Sequence, residues 1–314
     1  MADVFGFAIL GLVILLLAGD VLVKGAVNLA LRLGIPALIV SLTVVAFGTS
    51  APELLISVQS ILEGVPGLAL GNVVGSNTAN VLLVLGLPAL MAGLGATSDT
   101  RREYVFMLAA SVLFIGLCFL GPLVWWHGLI LLAGIALVLA DAVRSAKAHR
   151  DANADDADDL EEADPDMEWW KIGVYIVLGL VGLPLGANLL IDSATEIATA
   201  YGVSDTVIGL TLVAVGTSLP ELATTVMAAF RRQADVAIGN VIGSNIFNLL
   251  AIIGIASLVG PIPVDPEILN FDLWVMLAAS LVLLPFVFRR LPMGRLVGLA
   301  FSALYAGYIV ILLI

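Results

Sequence analysis

Residues 44–58 read VVAFGTSAPELLISV. The flanks are apolar enough to lie in a bilayer, yet the centre carries Gly48, Thr49, Ser50, Pro52 and Glu53. Proline lacks an N–H and clashes with the carbonyl four residues back, so Pro52 frees the carbonyl of Gly48 and kinks a helix. Freed carbonyls are tolerated at membrane depth only where they line a cavity or meet a partner. An ionised acid at a helix centre costs about 3 kcal/mol on insertion scales. The stretch therefore reads as a broken membrane helix whose polar centre needs a compensating cation or proton.

The same string returns 168 residues later. Residues 42–54 (LTVVAFGTSAPEL) and 210–222 (LTLVAVGTSLPEL) agree at ten of thirteen positions. Residues 71–86 (GNVVGSNTANVLLVLG) and 239–254 (GNVIGSNIFNLLAIIG) agree at nine of sixteen, at the same offset. Two blocks at one offset make an internal repeat of the whole unit between them.

Composition fixes the class. Of 314 residues, 61% are hydrophobic and 12% charged, with a mean hydropathy of +1.12. Such a chain is a polytopic helical membrane protein. The first apolar run has no basic n-region or clear cleavage site, so it reads as a retained helix. The one cysteine, Cys118, excludes an intrachain disulfide and reads as packing. The net charge of −12 is concentrated: residues 151–168 hold ten acids and no base. That segment lacks the D-x-[DN]-x-[DN]-G spacing of a calcium loop and reads as a solvated linker.

A span needs roughly 20 apolar residues. Helices are predicted near 4–22, 37–62, 67–92, 104–120, 122–142, 169–195, 205–230, 235–259, 272–289 and 292–314. Trp125, Trp126, Trp169 and Trp170 begin two of them and suit interfacial anchoring, with His127 beside them. On this map all 13 Lys and Arg fall on one side, which the positive-inside rule makes cytoplasmic. The expectation is an all-α cell-membrane protein, multi-pass, with both termini outside and residues 143–168 cytoplasmic. Five helices separate each helix from its copy, so residues 1–142 and 169–314 form two five-helix repeats of inverted topology. Such repeats place a binding site near the midplane between them.

The side chains define that site's chemistry. Thr49, Ser50 and Glu53, with Thr217, Ser218 and Glu221, gather at the two breaks. Ser76 and Asn80, four apart on one helical face, and their counterparts Ser244 and Asn248 join them from the next helix of each half. Asn77 and Asn245 point elsewhere and are expected to tie helices together. Gly71, Gly75, Gly239 and Gly243 give small faces for close helix approach. The set is all oxygen, without cysteine or histidine, and suits hard cations such as calcium and sodium.

The paired motifs GTSAPE…GNVVGSNTAN and GTSLPE…GNVIGSNIFN resemble the two alpha repeats of the cation/calcium exchanger superfamily, prokaryotic sodium/calcium exchanger type. The resemblance covers essentially the whole chain. It implies ion ligands at Ala46 (carbonyl), Thr49, Ser50, Glu53, Ser76 and Asn80, and at Ala214 (carbonyl), Thr217, Ser218, Glu221, Ser244 and Asn248. The alanine carbonyls come from the resemblance alone; the proline argument points to the glycine carbonyls two residues on. Potassium-dependent relatives carry Asp where Asn248 stands, which argues against potassium co-transport.

The first and sixth helices look long, with amphipathic ends (DVLVKGAVNLALRLG and NLLIDSATEIATAYG). The resemblance implies a secondary antiporter exchanging Na⁺ for Ca²⁺ by alternating access, with these two helices sliding to switch access. A proton/calcium antiporter is the nearest alternative, since the two glutamates can take protons. A cation channel is disfavoured by the broken helices of an inverted repeat. No enzyme is expected: no Ser–His pair or aspartate pair sits in a plausible span. The ions are substrates, with no cofactor, no nucleic acid and no obligatory protein partner; the lipid bilayer is the surrounding medium.

Overall fold

The computed structural model describes residues 2–95, 100–152, 164, 166–201 and 214–313. Twelve helical segments are named here in chain order. They are α1 (Ala2–Leu33), α2 (Ala37–Thr49), α3 (Ala51–Leu62), α4 (Pro66–Met91), α5 (Arg101–Cys118) and α6 (Trp125–Ala152). The second half holds α7 (Trp169–Ala200), α8 (Ala214–Gly216), α9 (Leu219–Phe230), α10 (Ala234–Val259), α11 (Ile268–Phe288) and α12 (Arg295–Leu313).

Seven of these are long and apolar enough to cross a membrane, and the α2–α3 pair, bent by 41°, makes an eighth. By length and composition the described residues thus give eight spans at most, against the expected ten. The shortfall lies in α5, which opens on Arg101, Arg102 and Glu103, and in α9, the described end of an interrupted span. The part of the span expected at 205–230 that precedes α8 lies outside the described residues, as does most of the acidic linker.

The apolar run of the first helix ends near residue 22, but the helices expected to be long are so: α1 runs for 32 residues, as does α7. At 1.5 Å per residue each is about 48 Å long, well beyond a hydrocarbon core of about 30 Å. The reason is a polar stripe. Asp20, Lys24, Asn28 and Arg32 end the apolar run, but at a spacing of four they share one face and the helix continues beneath them. That face is used: Asp20 pairs with Arg231 after α9 at 2.6 Å, and the Arg32 guanidinium donates to the Met167 carbonyl at 2.7 Å.

α1 and α7 pack antiparallel through small residues. A Cβ on Gly11 would lie 2.7 Å from the Leu190 nitrogen, and one on Gly186 would lie 2.8 Å from the Leu15 nitrogen. Without a hydrophobic force between helices in lipid, backbone proximity of this kind drives association. Their outer surfaces are apolar and exposed, including Leu17 and Val181.

Contacts between the halves come in reciprocal pairs. Leu94 and Met293 exchange two backbone hydrogen bonds of 2.9 Å, and Leu123 and Ile262 exchange two of 2.8 Å. Gly128 packs on the Gly254 carbonyl, while Gly298 packs on that of Gly86. The buried core is continuous and draws on both halves, from Tyr104 and Phe114 in α5 to Ile242 in α10. Cys118 is buried in that core. His127 is buried rather than surface-lying; it stacks on Trp126, and its Nδ1 accepts the Val124 N–H at 3.1 Å, capping α6.

Candidate functional site

The two prolines start helices rather than bend them. Pro52 stands in the first turn of α3 and Pro220 in the first turn of α9, where a missing N–H costs nothing. The residues before these helices adopt matching backbones: Ser50 has φ −85°, ψ 5° and Ser218 has φ −85°, ψ 4°. Glu53 and Glu221 follow one residue after each proline, also in the first turn. A helix N-terminus carries partial positive charge, so each carboxylate sits where the backbone favours it.

Both carboxylates are buried, Glu53 at 1% and Glu221 at 0% exposure, and they are close enough to repel one another. Ser50 Oγ donates to Glu221 Oε1 at 3.1 Å, across the two halves. The Ser244 hydroxyl lies close to the same carboxyl but makes no hydrogen bond. Thr49, Ser50, Ser76, Asn80, Thr217, Ser218, Ser244 and Asn248 are buried as well. The structure thus brings the predicted side chains from α2, α3, α4, α9, α10 and the turn before α9 into one interior region. Ala46 is buried, and its carbonyl accepts the Ser50 N–H at 3.0 Å and the Thr49 hydroxyl at 3.3 Å. Ala214 opens α8; its side chain lies outside the described residues.

Asparagines hold the region together with a symmetry visible atom by atom. Asn77 Nδ2 donates to the Asn245 carbonyl at 3.3 Å, and Asn245 Nδ2 to the Asn77 carbonyl at 3.4 Å. Asn80 Nδ2 donates to Asn245 Oδ1, and Asn248 Nδ2 to Asn77 Oδ1, both at 3.0 Å. The expectation that Asn77 and Asn245 tie helices together therefore holds. The ring also does more: Asn80 and Asn248 each donate to it, and the Oδ1 of each is left as a buried acceptor without a partner.

Asn72 and Asn240 were missed in the sequence. Asn240 Nδ2 donates to the Glu221 carbonyl at 3.4 Å and to Thr225 Oγ1 at 3.2 Å, while its Oδ1 receives Thr49 Oγ1 at 3.3 Å. Asn72 repeats the pattern with the Glu53 carbonyl, Ser57 Oγ and Thr217 Oγ1, each at 3.4 Å. The available signal was an amide at the second position of both GNV repeats, in an otherwise apolar run.

Seven buried polar atoms of the predicted set have no hydrogen-bond partner: Glu53 Oε2, Ser76 Oγ, Asn80 Oδ1, Ser218 Oγ, Glu221 Oε2, Ser244 Oγ and Asn248 Oδ1. Buried polar groups are nearly always satisfied, and each orphan costs about 1–3 kcal/mol. Seven oxygens without partners thus lie in one region, fed by both halves. Among the described residues no three His, Cys, Asp or Glu side chains gather, so the donors are two carboxylates and neutral oxygens.

On one side the region opens into a cavity of about 280 Å³ lined by Asn72, Ser76, Thr217, Asp272, Tyr305 and Tyr308, among others. Gly71 and Gly75 line it too, with nothing within 4 Å of their added Cβ atoms. Their counterparts are packed: a Cβ on Gly243 would lie 2.5 Å from the Leu42 carbonyl.

The chain resembles known proteins over nearly its whole length. The sodium/calcium exchanger protein family matches residues 4–140 and 171–314. The sodium/calcium exchanger MaX1 of Methanosarcina acetivorans is 34% identical, the alignment covering 98% of either chain. The inner membrane protein YrbG of Escherichia coli is 36% identical over 96% of this chain and 93% of its own. Among solved structures, the sodium-calcium exchanger NCX_Mj without Na⁺ and Ca²⁺ superposes with a TM-score of 0.85. It is 32% identical and is covered over 99% of this chain and 100% of that one.

Proposed function

The chain belongs to the sodium/calcium exchanger protein family, and on that premise we propose that it is an antiporter exchanging Na⁺ for Ca²⁺ by alternating access. The carrying observation is the set of seven unpartnered buried oxygens around Glu53 and Glu221. Two carboxylates balance one Ca²⁺, and hydroxyl, amide and carbonyl oxygens complete a hard-cation shell. The ligands are Ala46 (carbonyl), Thr49, Ser50, Glu53, Ser76 and Asn80, with Ala214 (carbonyl), Thr217, Ser218, Glu221, Ser244 and Asn248. Thr49 has one proton and two acceptors, Ala46 and Asn240. Donation to Asn240 leaves the Ala46 carbonyl for an ion. Na⁺ and Ca²⁺ compete for these oxygens, so occupancy by one favours release of the other.

The reciprocal bonds at an offset of 168 support two inverted five-helix repeats, 1–142 and 169–314, joined by the linker 143–168. A pseudo-twofold axis makes residue i of one half meet j of the other while j meets i. Ten spans follow when α5 and the interrupted α8–α9 segment are each counted as one. The cavity mouth, at Leu68, Ile268 and Leu312, then lies on the outer face with both termini. The glycine-mediated α1–α7 pair moves as one body across the rest to change access.

Proteoliposomes loaded with Na⁺ test this reading: they take up calcium, and uptake stops when internal Na⁺ is replaced by choline. Uptake driven by a proton gradient and indifferent to Na⁺ makes the protein a proton/calcium antiporter; uptake without any counter-ion makes it a channel. Transport persists without potassium, as Asn248 implies.

A further inference from the structure

The cavity leading to the site contains one feature that ion ligation does not use. Asp272 closes a π-helical turn, Ile268–Asp272, at the start of α11. π-turns insert an extra residue, redirect the side chains that follow and cluster at functional sites. Asp272 faces the same cavity as Ser76 and Thr217. Its Oδ1 accepts the Tyr308 hydroxyl at 2.8 Å, a neutral donor from α12. No base pairs with it among the described residues. The sequence explains this: no Lys or Arg lies between Arg32 and Arg101, between Arg232 and Arg289, or after Arg295, so α3, α4, the cavity end of α11 and the rest of α12 carry none.

The walls around this carboxylate are largely apolar, with Ile56, Leu68, Val74, Ile268, Ile309 and Leu312. Low-dielectric walls around charge of one sign focus its field and raise the local concentration of counter-ions. Glu267, near enough to act on Asp272 electrostatically, and Asp265, whose Oδ2 lies 3.3 Å from an added Cβ on Gly67, place further negative charge at the mouth. At the inner end the cavity meets Ser76, whose buried Oγ has no partner.

We propose that Asp272, held by Tyr308, is an outer cation-binding station through which ions entering from this face pass before reaching the Glu53–Glu221 site. The station takes hard cations, Na⁺ or Ca²⁺, through a carboxylate and the water that fills the cavity. It rests on the exchange reading only for the identity of the ions. An ion approaching from the opposite face does not pass it, so its effect is confined to one side. A hydrogen bond that merely ties α11 to α12 has no such sidedness.

The test uses the full-length protein in right-side-out and inverted vesicles, with calcium uptake measured from each face. Asp272→Asn keeps the shape and the Tyr308 contact but removes the charge. It is expected to raise the calcium concentration for half-maximal uptake by about 3- to 10-fold from the cavity face, and by less than about 2-fold from the other. Raising ionic strength shrinks the difference, and Asp272→Glu restores the parental value. Equal changes on both faces, no change on either, or a glutamate variant as impaired as the asparagine one overturns the station. A parent that carries no calcium refutes the exchange reading separately. The station is then read by radioactive sodium uptake from each face, with the same expected asymmetry.

Discussion

At the scale of the residue, the two glutamates and the asparagine ring make separable predictions. Glu53→Gln or Glu221→Gln keeps size and removes one of two charges, and charge count dominates affinity for a hard divalent cation. Each is expected to abolish nearly all calcium flux while the protein still folds, because losing an ionised group from the bilayer interior relieves a cost. Calcium flux and a thermal melt on the same preparation check this. Asn77→Ala removes none of the proposed ligands. It leaves Asn248 Nδ2 without its acceptor, so that amide is free to turn its donor toward the ion. Losing one buried partner costs about 1–3 kcal/mol, and calcium affinity is expected to fall although all twelve proposed ligands remain. Unchanged calcium affinity in Asn77→Ala removes the orienting role of the ring. The glutamates and hydroxyls were legible in the sequence because polar residues stand out in apolar runs. So was the helix-tying role of Asn77 and Asn245, but the roles of Asn72 and Asn240 were not, because an amide's partners are set by the facing helix.

At the scale of the element, α1 and α7 depend on close backbone approach. Gly186→Val places a side chain where a Cβ alone would lie 2.8 Å from the Leu15 nitrogen and 2.9 Å from the Gly11 carbonyl. Backbone cannot yield as a flexible side chain does, so the pair separates. Transport is expected to be lost and the melting temperature to drop by several degrees, since even about 1 kcal/mol is read as a shift of a few degrees in a chain of this size. A parental melt and parental flux in Gly186→Val would show that the pair is not held through this contact. The loops tell a related story. Gly64 has φ 80°, and Arg232, its counterpart 168 residues on, has φ 56°. Left-handed backbone costs a residue with a Cβ about 1–2 kcal/mol. On the proposed topology Arg232 stands among the basic residues that the positive-inside rule assigns to the cytoplasmic face. Arg232→Gly is expected to weaken orientation during insertion, measured by the fraction of chains labelled from each side.

At the scale of the whole molecule, orientation is the open prediction. In a Cys118→Ser background, Ala2→Cys and Asn153→Cys are expected to react with an impermeant thiol reagent from opposite sides of the membrane. Labelling from the same side refutes the topology and the placement of residues 143–168. Class, repeat and most of the helical segments came from the sequence alone, because hydropathy and a fixed offset of 168 are properties of the chain order itself. So did the identities of the site's polar side chains, since lipid makes each buried oxygen conspicuous. The length of α1 came from its amphipathic end, where Asp20, Lys24, Asn28 and Arg32 share one face, and not from the apolar run, which stops at the first charge. Tertiary structure alone decided which oxygens are spent on neighbours and which are left over. Ser50 is taken by Glu221 while Ser218 has no partner, although both stand in a GTS-x-PE stretch. Hydrogen bonding depends on distance and direction between helices far apart in the chain, and no local pattern encodes either.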